Sequence, residues 1–185
     1  MRAAEHVFAL KGYHKATVQD IAKEAQYATG TVYLYFTDKD ELYMSIVEEK
    51  LGHLLLLVKE KLARTKNALE KIELIIYEDL SFFEENQDFF RIFISEESRW
   101  SAKSKFSKSQ IGLKYKEYCT ELIKEAQEQN LIRRDLEPKQ ISDMLGSMVT
   151  SFIFDLVQSN SREKIDLKNM ASIMLDMFLN GAKKK

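Results

Sequence analysis

Residues suited to polar recognition are concentrated in one short stretch of the chain, TGTVYLYFTDKDEL, from Thr29 to Leu42. Its hydroxyl donors include Thr29, Thr31, Tyr33 and Tyr35. Hydroxyl groups of this kind donate hydrogen bonds to phosphate oxygens, which fix the register of a protein on a nucleic acid, while the side chains nearest the base edges provide sequence preference. The stretch therefore favours recognition of a nucleic acid over catalysis.

The spacing of the apolar residues predicts how a helix would present these donors. On a helix that begins near Thr29, Val32 and Phe36 share one face and would pack inward, which leaves the hydroxyls largely exposed. Gly30 has no side chain and would let the helix lie close to a phosphate backbone. Lys39 adds a cation at the start of the next helix, a position suited to a phosphate.

Other reactive constellations are missing from the sequence. The three histidines, His6, His14 and His53, have no metal-ligand spacing with one another or with Cys119. There is no sharp-turn nucleophile motif and no phosphate-binding glycine loop. The sequence therefore predicts no catalytic residue, no metal site and no cofactor, and its single cysteine excludes an internal disulfide framework.

The composition favours a helical protein with local rather than global recognition of anions. The chain has 185 residues, 45% of them hydrophobic, with one proline, six glycines and a formal net charge of -1. Residues 1–45 hold five Lys and Arg residues against six acidic ones, so we expect modest non-specific affinity for nucleic acid. The apolar run LLLLV, residues 54–58, is too short to cross a bilayer, and the chain lacks a secretory signal pattern. We predict a cytoplasmic protein without a membrane partner.

The periodicity predicts an all-α fold in which three short helices precede a long one. Thr17 and Asp20 form a predicted capping box at the start of the second helix, and Asp38 is the predicted N-cap of the fourth. The predicted helices cover about residues 1–10, 18–25, 29–36, 38–62, 67–83, 88–95, 107–129, 138–158 and 167–182. The first three are typical of a helix-turn-helix, and we divide the chain into a domain of residues 1–45 and a body of residues 46–185.

The segments GYHKATVQDIAKEA and TGTVYLYFTDKDEL together resemble the N-terminal DNA-binding domain of the tetracycline-repressor (TetR) family of bacterial transcriptional regulators. The resemblance covers about the first quarter of the chain. It implies an all-helical fold with a three-helix DNA reader, a connecting helix and a body of about five helices that binds a ligand and dimerises. The DNA-binding residues that it implies are Thr17, Thr29, Gly30, Thr31, Tyr33, Tyr35 and Lys39.

Within that set, the resemblance implies distinct roles. Thr17, Thr31, Tyr33 and Lys39 would hold phosphates, and Thr29, Gly30 and Tyr35 would lie nearest the bases or the adjoining backbone. Tyr13, Ile21, Phe36 and Leu42 match positions that hold the small domain together.

The turn before the third helix departs from the family pattern. Where relatives usually read A-G-V-S, this chain has Ala25, Gln26, Tyr27 and Ala28. If Gln26 adopts the left-handed conformation, a strain of about 1–2 kcal/mol is expected. Ala28 has no side-chain oxygen with which to cap the third helix.

The last two predicted helices suggest a dimer. Gly146 and Thr150 would let a second helix approach closely, and the final helix is apolar nearly all round, so a partner should cover part of it. In the resembling family, these two helices form a four-helix bundle across a two-fold axis. The predicted dimer interface is Gly146, Thr150, Phe154, Met170, Met174, Met177 and Phe178. A core within a single chain is the alternative.

A pocket for an apolar or amphipathic small molecule is also predicted, from aromatic and methionine side chains in the middle of the body. These are Phe82, Phe83, Phe89, Phe93, Trp100, Tyr115, Tyr118, Met148 and Phe152. Ordinary core packing is the alternative for each of them. Lys103, Lys105 and Lys108 form a basic cluster that is either a solvated loop or a contact for an anionic ligand head group.

Together these features predict a dimeric, ligand-responsive regulator, a repressor, that binds a palindromic operator in double-stranded DNA and is released by a small effector. Two other classes remain open on the sequence: a helical small-molecule carrier and a protein-docking adaptor, neither with specific DNA binding.

Overall fold

The computed structural model describes residues 1–97, 109–159 and 165–181, with the side chains of residues 1–92, 109–158 and 165–181. Within these ranges the fold is all-α, as predicted, and contains no strand. The helices are α1 (Arg2–Lys11), α2 (Val18–Glu24), α3 (Thr29–Tyr33), α4 (Lys39–Leu62), α5 (Ala68–Glu85), α6 (Gln87–Glu97), α7 (Gln110–Glu128), α8 (Pro138–Ser159) and α9 (Leu167–Asn180).

One difference from the predicted helices is at the end of α3, which was expected to reach Phe36. The chain tightens there, because the N–H groups of Leu34 and Tyr35 donate to the carbonyls of Thr31 and Val32, at 3.2 and 3.1 Å. These bonds reach back three residues instead of four, so regular α-helix ends at Tyr33.

The chain forms two compact units, each built from two segments. The first unit comprises Met1–Gly52 and Asn86–Leu113, and the second unit comprises His53–Glu85 and Lys114–Lys185. The sequence-based division after residue 45 cuts the chain once, whereas these spatial units are both discontinuous.

An aromatic cluster forms the centre of the first unit. The ring of Phe8 lies 5.4 Å from that of Tyr13 and 6.1 Å from that of Tyr43, and the rings of Tyr13 and Tyr43 are 5.1 Å apart. The tilted and edge-on arrangements are those that aromatic quadrupoles favour. Helix α1 packs against both α2 and α6, and α2 packs against α3.

The second unit is organised around α5, which packs against α8 and α9. Its fully buried side chains include Ile72, Ile76 and Leu80, which share one face at helical spacing. Helix α8 begins at Pro138, whose missing N–H has no intrahelical role at a first-turn position. The Asp166 side chain caps α9 by accepting a hydrogen bond from the N–H of Asn169, at 3.0 Å.

Candidate functional site

The predicted capping box is present at the start of α2. The hydroxyl of Thr17 accepts from the N–H of Asp20 at 3.1 Å, and the Asp20 carboxylate accepts from the N–H and hydroxyl of Thr17 at 3.1 and 2.8 Å. The ammonium of Lys11 also donates to Asp20, at 2.7 Å. The bonds from Lys11 and then Thr17 lower the pKa of Asp20 to about 2, so the cap persists in acid.

The turn between α2 and α3 contains a residue in the left-handed conformation. Gln26 has a φ of 58°. Its N–H donates to the carbonyl of Lys23 at 3.1 Å, and the N–H of Tyr27 donates to the carbonyl of Ala22 at 2.9 Å. This pair of bonds defines a Schellman C-cap, in which glycine is the usual left-handed residue.

Helix α3 begins without a side-chain cap and presents its phenols outward. Ala28 is the N-cap and makes no side-chain hydrogen bond. Val32 is buried as predicted, whereas Tyr33 and Tyr35 are 52% and 75% exposed. One exposed phenol, Tyr33, is the last residue of this five-residue helix, and the other, Tyr35, follows two residues later.

The seven predicted DNA-binding residues all lie in the first unit. Thr17, Gly30, Tyr33 and Tyr35 are exposed, and Thr29, Thr31 and Lys39 are half-buried. Of the positions expected to hold the small domain together, Tyr13, Ile21 and Leu42 are buried and Phe36 is half-buried.

The structure places the ammonium of Lys39 within the protein rather than out in solvent. It donates to the carbonyls of Tyr13, His14 and Ala16, at 2.7, 3.4 and 3.1 Å, and lies 4.4 Å from the centre of the Tyr13 ring. These carbonyls belong to the loop between α1 and α2, which Lys39 therefore ties to the start of α4. The sequence did not indicate this role, because the partners lie more than 20 residues away.

Sequence reasoning also passed over Leu34, which is 83% exposed at the end of α3. The signal that could have found it is its position four residues after Gly30, which places both residues on one side of the helix.

Helix α4 makes polar contacts that join the two segments of the first unit. The Lys50 ammonium donates to Asn86 Oδ1 at 2.9 Å and lies 3.2 Å from Glu5 Oε1. The carboxylate of Glu48 accepts from the N–H groups of Gln110 and Ile111, at 3.1 and 3.3 Å, at the positive end of α7.

The predicted effector residues are distributed over both units. Phe89 belongs to the first unit, where its side chain is buried. In the second unit, Phe82, Phe83 and Tyr115 are buried, and Tyr118, Met148 and Phe152 are half-buried. The Phe93 side chain, Trp100 and the basic cluster of Lys103, Lys105 and Lys108 lie outside the described residues.

A buried polar cluster in the second unit was not expected from the sequence. Glu78 on α5 is almost fully buried, and both of its carboxylate oxygens accept from Lys61, at 2.7 Å each. The next residue, Asp79, accepts a short hydrogen bond from the hydroxyl of Tyr115 on α7. The sequence feature that could have indicated this cluster is the pair of acidic residues within the otherwise apolar segment IIYEDL.

Burial sets the protonation of this cluster. Although part of the residue remains accessible, desolvation of its carboxyl raises the pKa of Asp79 to about 7, against the opposing hydrogen bond from Tyr115. Desolvation likewise raises the pKa of Tyr115 well above its usual value and raises the pKa of the nearby Cys119 thiol. Within this cluster, the carboxyl of Asp79 is therefore the group that changes charge near neutral pH.

A groove of about 490 Å³ on the second unit contains Tyr118, and its lining is mostly charged. The lining residues are Lys71, Tyr118, Glu121, Leu122, Lys124, Glu125 and Glu128. Alternating acids and lysines do not match an apolar ligand.

The predicted dimer residues are mostly accessible on α8 and α9. Gly146, Thr150 and Met177 are exposed, and Phe154, Met170 and Phe178 are half-buried. Met174 differs, because it is only 5% exposed and is already covered by its own chain.

Across the described ranges, no helix is long and apolar enough to cross a membrane. In the same ranges, no three His, Cys, Asp or Glu side chains are grouped as they would be around a metal ion.

Known proteins with similar sequences identify the family. Residues 1–46 match "Bacterial regulatory proteins, tetR family", and residues 47–181 match "YsiA-like protein, C-terminal region". The chain is 25% identical over 183 residues to the fatty acid metabolism regulator protein of Bacillus subtilis, a match that spans 99% of this chain and 93% of the relative.

Solved structures extend the likeness to the whole fold. The transcriptional regulator FadR from Bacillus subtilis, crystallised in complex with stearoyl-CoA, matches with a TM-score of 0.87 and 27% identity over 98% of this chain and 97% of its own. The fatty acid degradation regulator FadR from Bacillus halodurans matches in fold, with a TM-score of 0.86 and 22% identity over 100% of this chain and 94% of its own.

The chain belongs to the tetR family of bacterial regulatory proteins. It is a ligand-responsive, DNA-binding transcriptional regulator, as the sequence predicted, and not an enzyme.

Proposed function

We propose that this protein is a cytoplasmic homodimeric repressor that binds a palindromic operator through α3 and releases it on binding a long-chain fatty acyl-CoA. The observation that carries the effector class is the full-length match to a regulator crystallised with stearoyl-CoA. A two-fold dimer would present two copies of α3 to successive turns of a palindromic site.

Exposed donors on and around α3 support the DNA contacts. Tyr33 and Tyr35 are exposed, whereas Val32 between Thr31 and Tyr33 is buried in the core. Two cations of the N-terminal helices, Lys11 and Lys39, are engaged within the protein. Phosphate binding would therefore depend mainly on hydroxyl and backbone donors, with a shallow dependence on salt.

The apolar interior of the second unit supports an acyl chain as ligand. Phe82 and Phe83 on α5 are buried, Met148 and Phe152 on α8 are half-buried, and none of the four side chains carries a charge. Flexible methionine and flat aromatic side chains adapt to an extended hydrocarbon. This chemistry fits a fatty acyl group better than a small polar effector.

The DNA contacts are tested by selecting bound sites from a random double-stranded library and measuring affinity for the consensus. Tyr33→Phe removes one phenolic hydroxyl, so binding should weaken about tenfold with an unchanged melting temperature. Tyr77→Phe, in α5, is the matched control and should bind as the parent does. Equal affinity of Tyr33→Phe and the parent would contradict the phosphate role.

The effector class is tested on the same operator complex. Stearoyl-CoA at micromolar concentration should release the DNA, whereas free coenzyme A and free stearate at equal concentration should not. Release by free stearate alone would indicate a fatty acid as the effector. If the protein binds stearoyl-CoA and no DNA is selected, it is a carrier, and if neither ligand binds, a docking role gains support.

A further inference from the structure

The outermost side of α3 is apolar. A helix turns about 100° per residue, so Gly30 and Leu34 each lie within about 20° of the direction opposite the buried Val32. Leu34 keeps helical geometry, with φ -71° and ψ -24°, so it continues this side of the helix. At the same rotation of about 100° per residue, the donors Thr31 and Tyr33 lie on either side of this strip rather than on it.

Neither strip residue is needed for folding. Leu34 is 83% exposed, more than any other large apolar side chain of the described residues. A Cβ added at Gly30 would meet nothing within 4 Å, and its φ is not in the left-handed region. Glycine inside a helix costs about 1 kcal/mol relative to alanine, so stability alone would favour alanine at this position.

The strip can offer van der Waals contact only, because it has no hydrogen-bonding side chain. Among the base edges in the major groove of DNA, the C5-methyl group of thymine is the apolar feature. A phosphate cannot be the partner, since leucine has no donor. Flanking donors on both sides would hold the helix against the backbone while the strip meets the bases.

We propose that Leu34 contacts a thymine methyl group in each operator half-site and that Gly30 leaves the room for this approach. Leu34 is thereby a specificity-determining residue that distinguishes thymine from cytosine. This inference rests on the proposed binding of the operator through α3, and it places that helix in the major groove.

Replacing thymines by deoxyuridine tests the contact, because the exchange removes the methyl group and keeps base pairing. Each thymine of the selected operator is replaced in turn, and affinity is measured by fluorescence anisotropy at one fixed salt concentration. For the parent, one thymine position in each half-site should respond to the replacement. Exchange at that position should weaken binding about fourfold, the factor for one buried methyl group. Leu34→Ala should bind the thymine operator more weakly and show no further loss with deoxyuridine.

Leu56→Ala is the matched control, because Leu56 is a leucine of similar exposure, 69%, on α4. It should keep the parental affinity and the parental response to deoxyuridine. The inference is overturned if no replacement affects the parent, or if Leu34→Ala retains the fourfold response. If the parent selects no DNA site at all, the proposed function itself fails, a result distinct from normal binding without methyl dependence.

Discussion

At the scale of single residues, the second unit carries a proton that the unfolded chain would release. Asp79 has its pKa raised from 3.8 to about 7 by desolvation, with Tyr115 as hydrogen-bond donor and Glu78 as a like-charged neighbour. The folded state therefore holds a proton between these two pH values that the unfolded state has lost. Asp79 destabilises the folded state least below about pH 4. As the pH rises from there towards 7, its ionisation in the unfolded chain lowers the free energy of unfolding.

Asp79→Asn should remove this pH dependence. Between pH 4 and 7 the parent should lose stability with a slope approaching about 1.4 kcal/mol per pH unit for this one proton, and the variant should lack that component. At pH 8 the variant should be the more stable protein, because asparagine needs no charge in a desolvated site. Urea unfolding at pH 5 and pH 8 measures both effects.

Asp155→Asn provides the control, since Asp155 is exposed on α8. It should follow the parental pH profile. An Asp79→Asn profile parallel to that of the parent would show that the Asp79 carboxyl is not desolvated.

Lys39 has a structural role, and a DNA-binding assay alone would not distinguish a loss of stability in Lys39→Ala from the loss of a phosphate contact. Its ammonium bonds the carbonyls of Tyr13 and Ala16, in the loop between α1 and α2. Lys39→Ala should therefore lower the free energy of unfolding by about 1–3 kcal/mol, because partly buried carbonyls lose a charged donor. Thermal unfolding measures the loss, and the exposed Lys23→Ala is the control, expected to change stability by less than about 0.5 kcal/mol. If Lys39→Ala unfolds as the parent does, then these carbonyl bonds are weak.

At the scale of elements, helix starts followed from the sequence and several other features did not. Thr17, Asp38 and Pro138 mark starts because capping and first-turn preferences are local. The early end of α3 depends on a competition between bonds to the third and fourth preceding residues, which residue types do not decide. The partners of Lys39 and Asp79 lie on other elements, so no periodicity could reveal them.

The turn between α2 and α3 carries strain that one substitution should relieve. Gln26 holds a φ of 58°, which glycine adopts at no steric cost. Gln26→Gly should raise the free energy of unfolding by about 1 kcal/mol, visible as a higher melting temperature.

Asn130 occupies the same left-handed position at the end of α7, also with a φ of 58°. Asparagine tolerates this region better than glutamine. Asn130→Gly should therefore raise the free energy of unfolding by less than Gln26→Gly does. Equal or smaller stabilisation by Gln26→Gly would argue against strain at that turn.

At the scale of the whole molecule, exposed apolar residues on α8 and α9 predict self-association. The parent should sediment as a dimer at micromolar concentration. Met177, 49% exposed on α9, is a proposed interface residue, and Met177→Lys should weaken the dimer at least about tenfold by placing an unpaired charge in it. Leu10→Lys, at an exposed leucine of α1, should leave the dimer intact. A monomeric parent would contradict the proposed assembly.

The make-up of the first unit limits how this DNA reader could be exchanged between regulators. Helix α1 packs on α6, and Lys50 contacts both Glu5 and Asn86, so the unit draws on two separate stretches of chain. A gene fusion with one junction near residue 46 would make α1 pack against the α6 of a different regulator. Recombination that transplants the operator preference intact must therefore carry α6 as well, or be followed by changes on the α1 surface that suit the new neighbour.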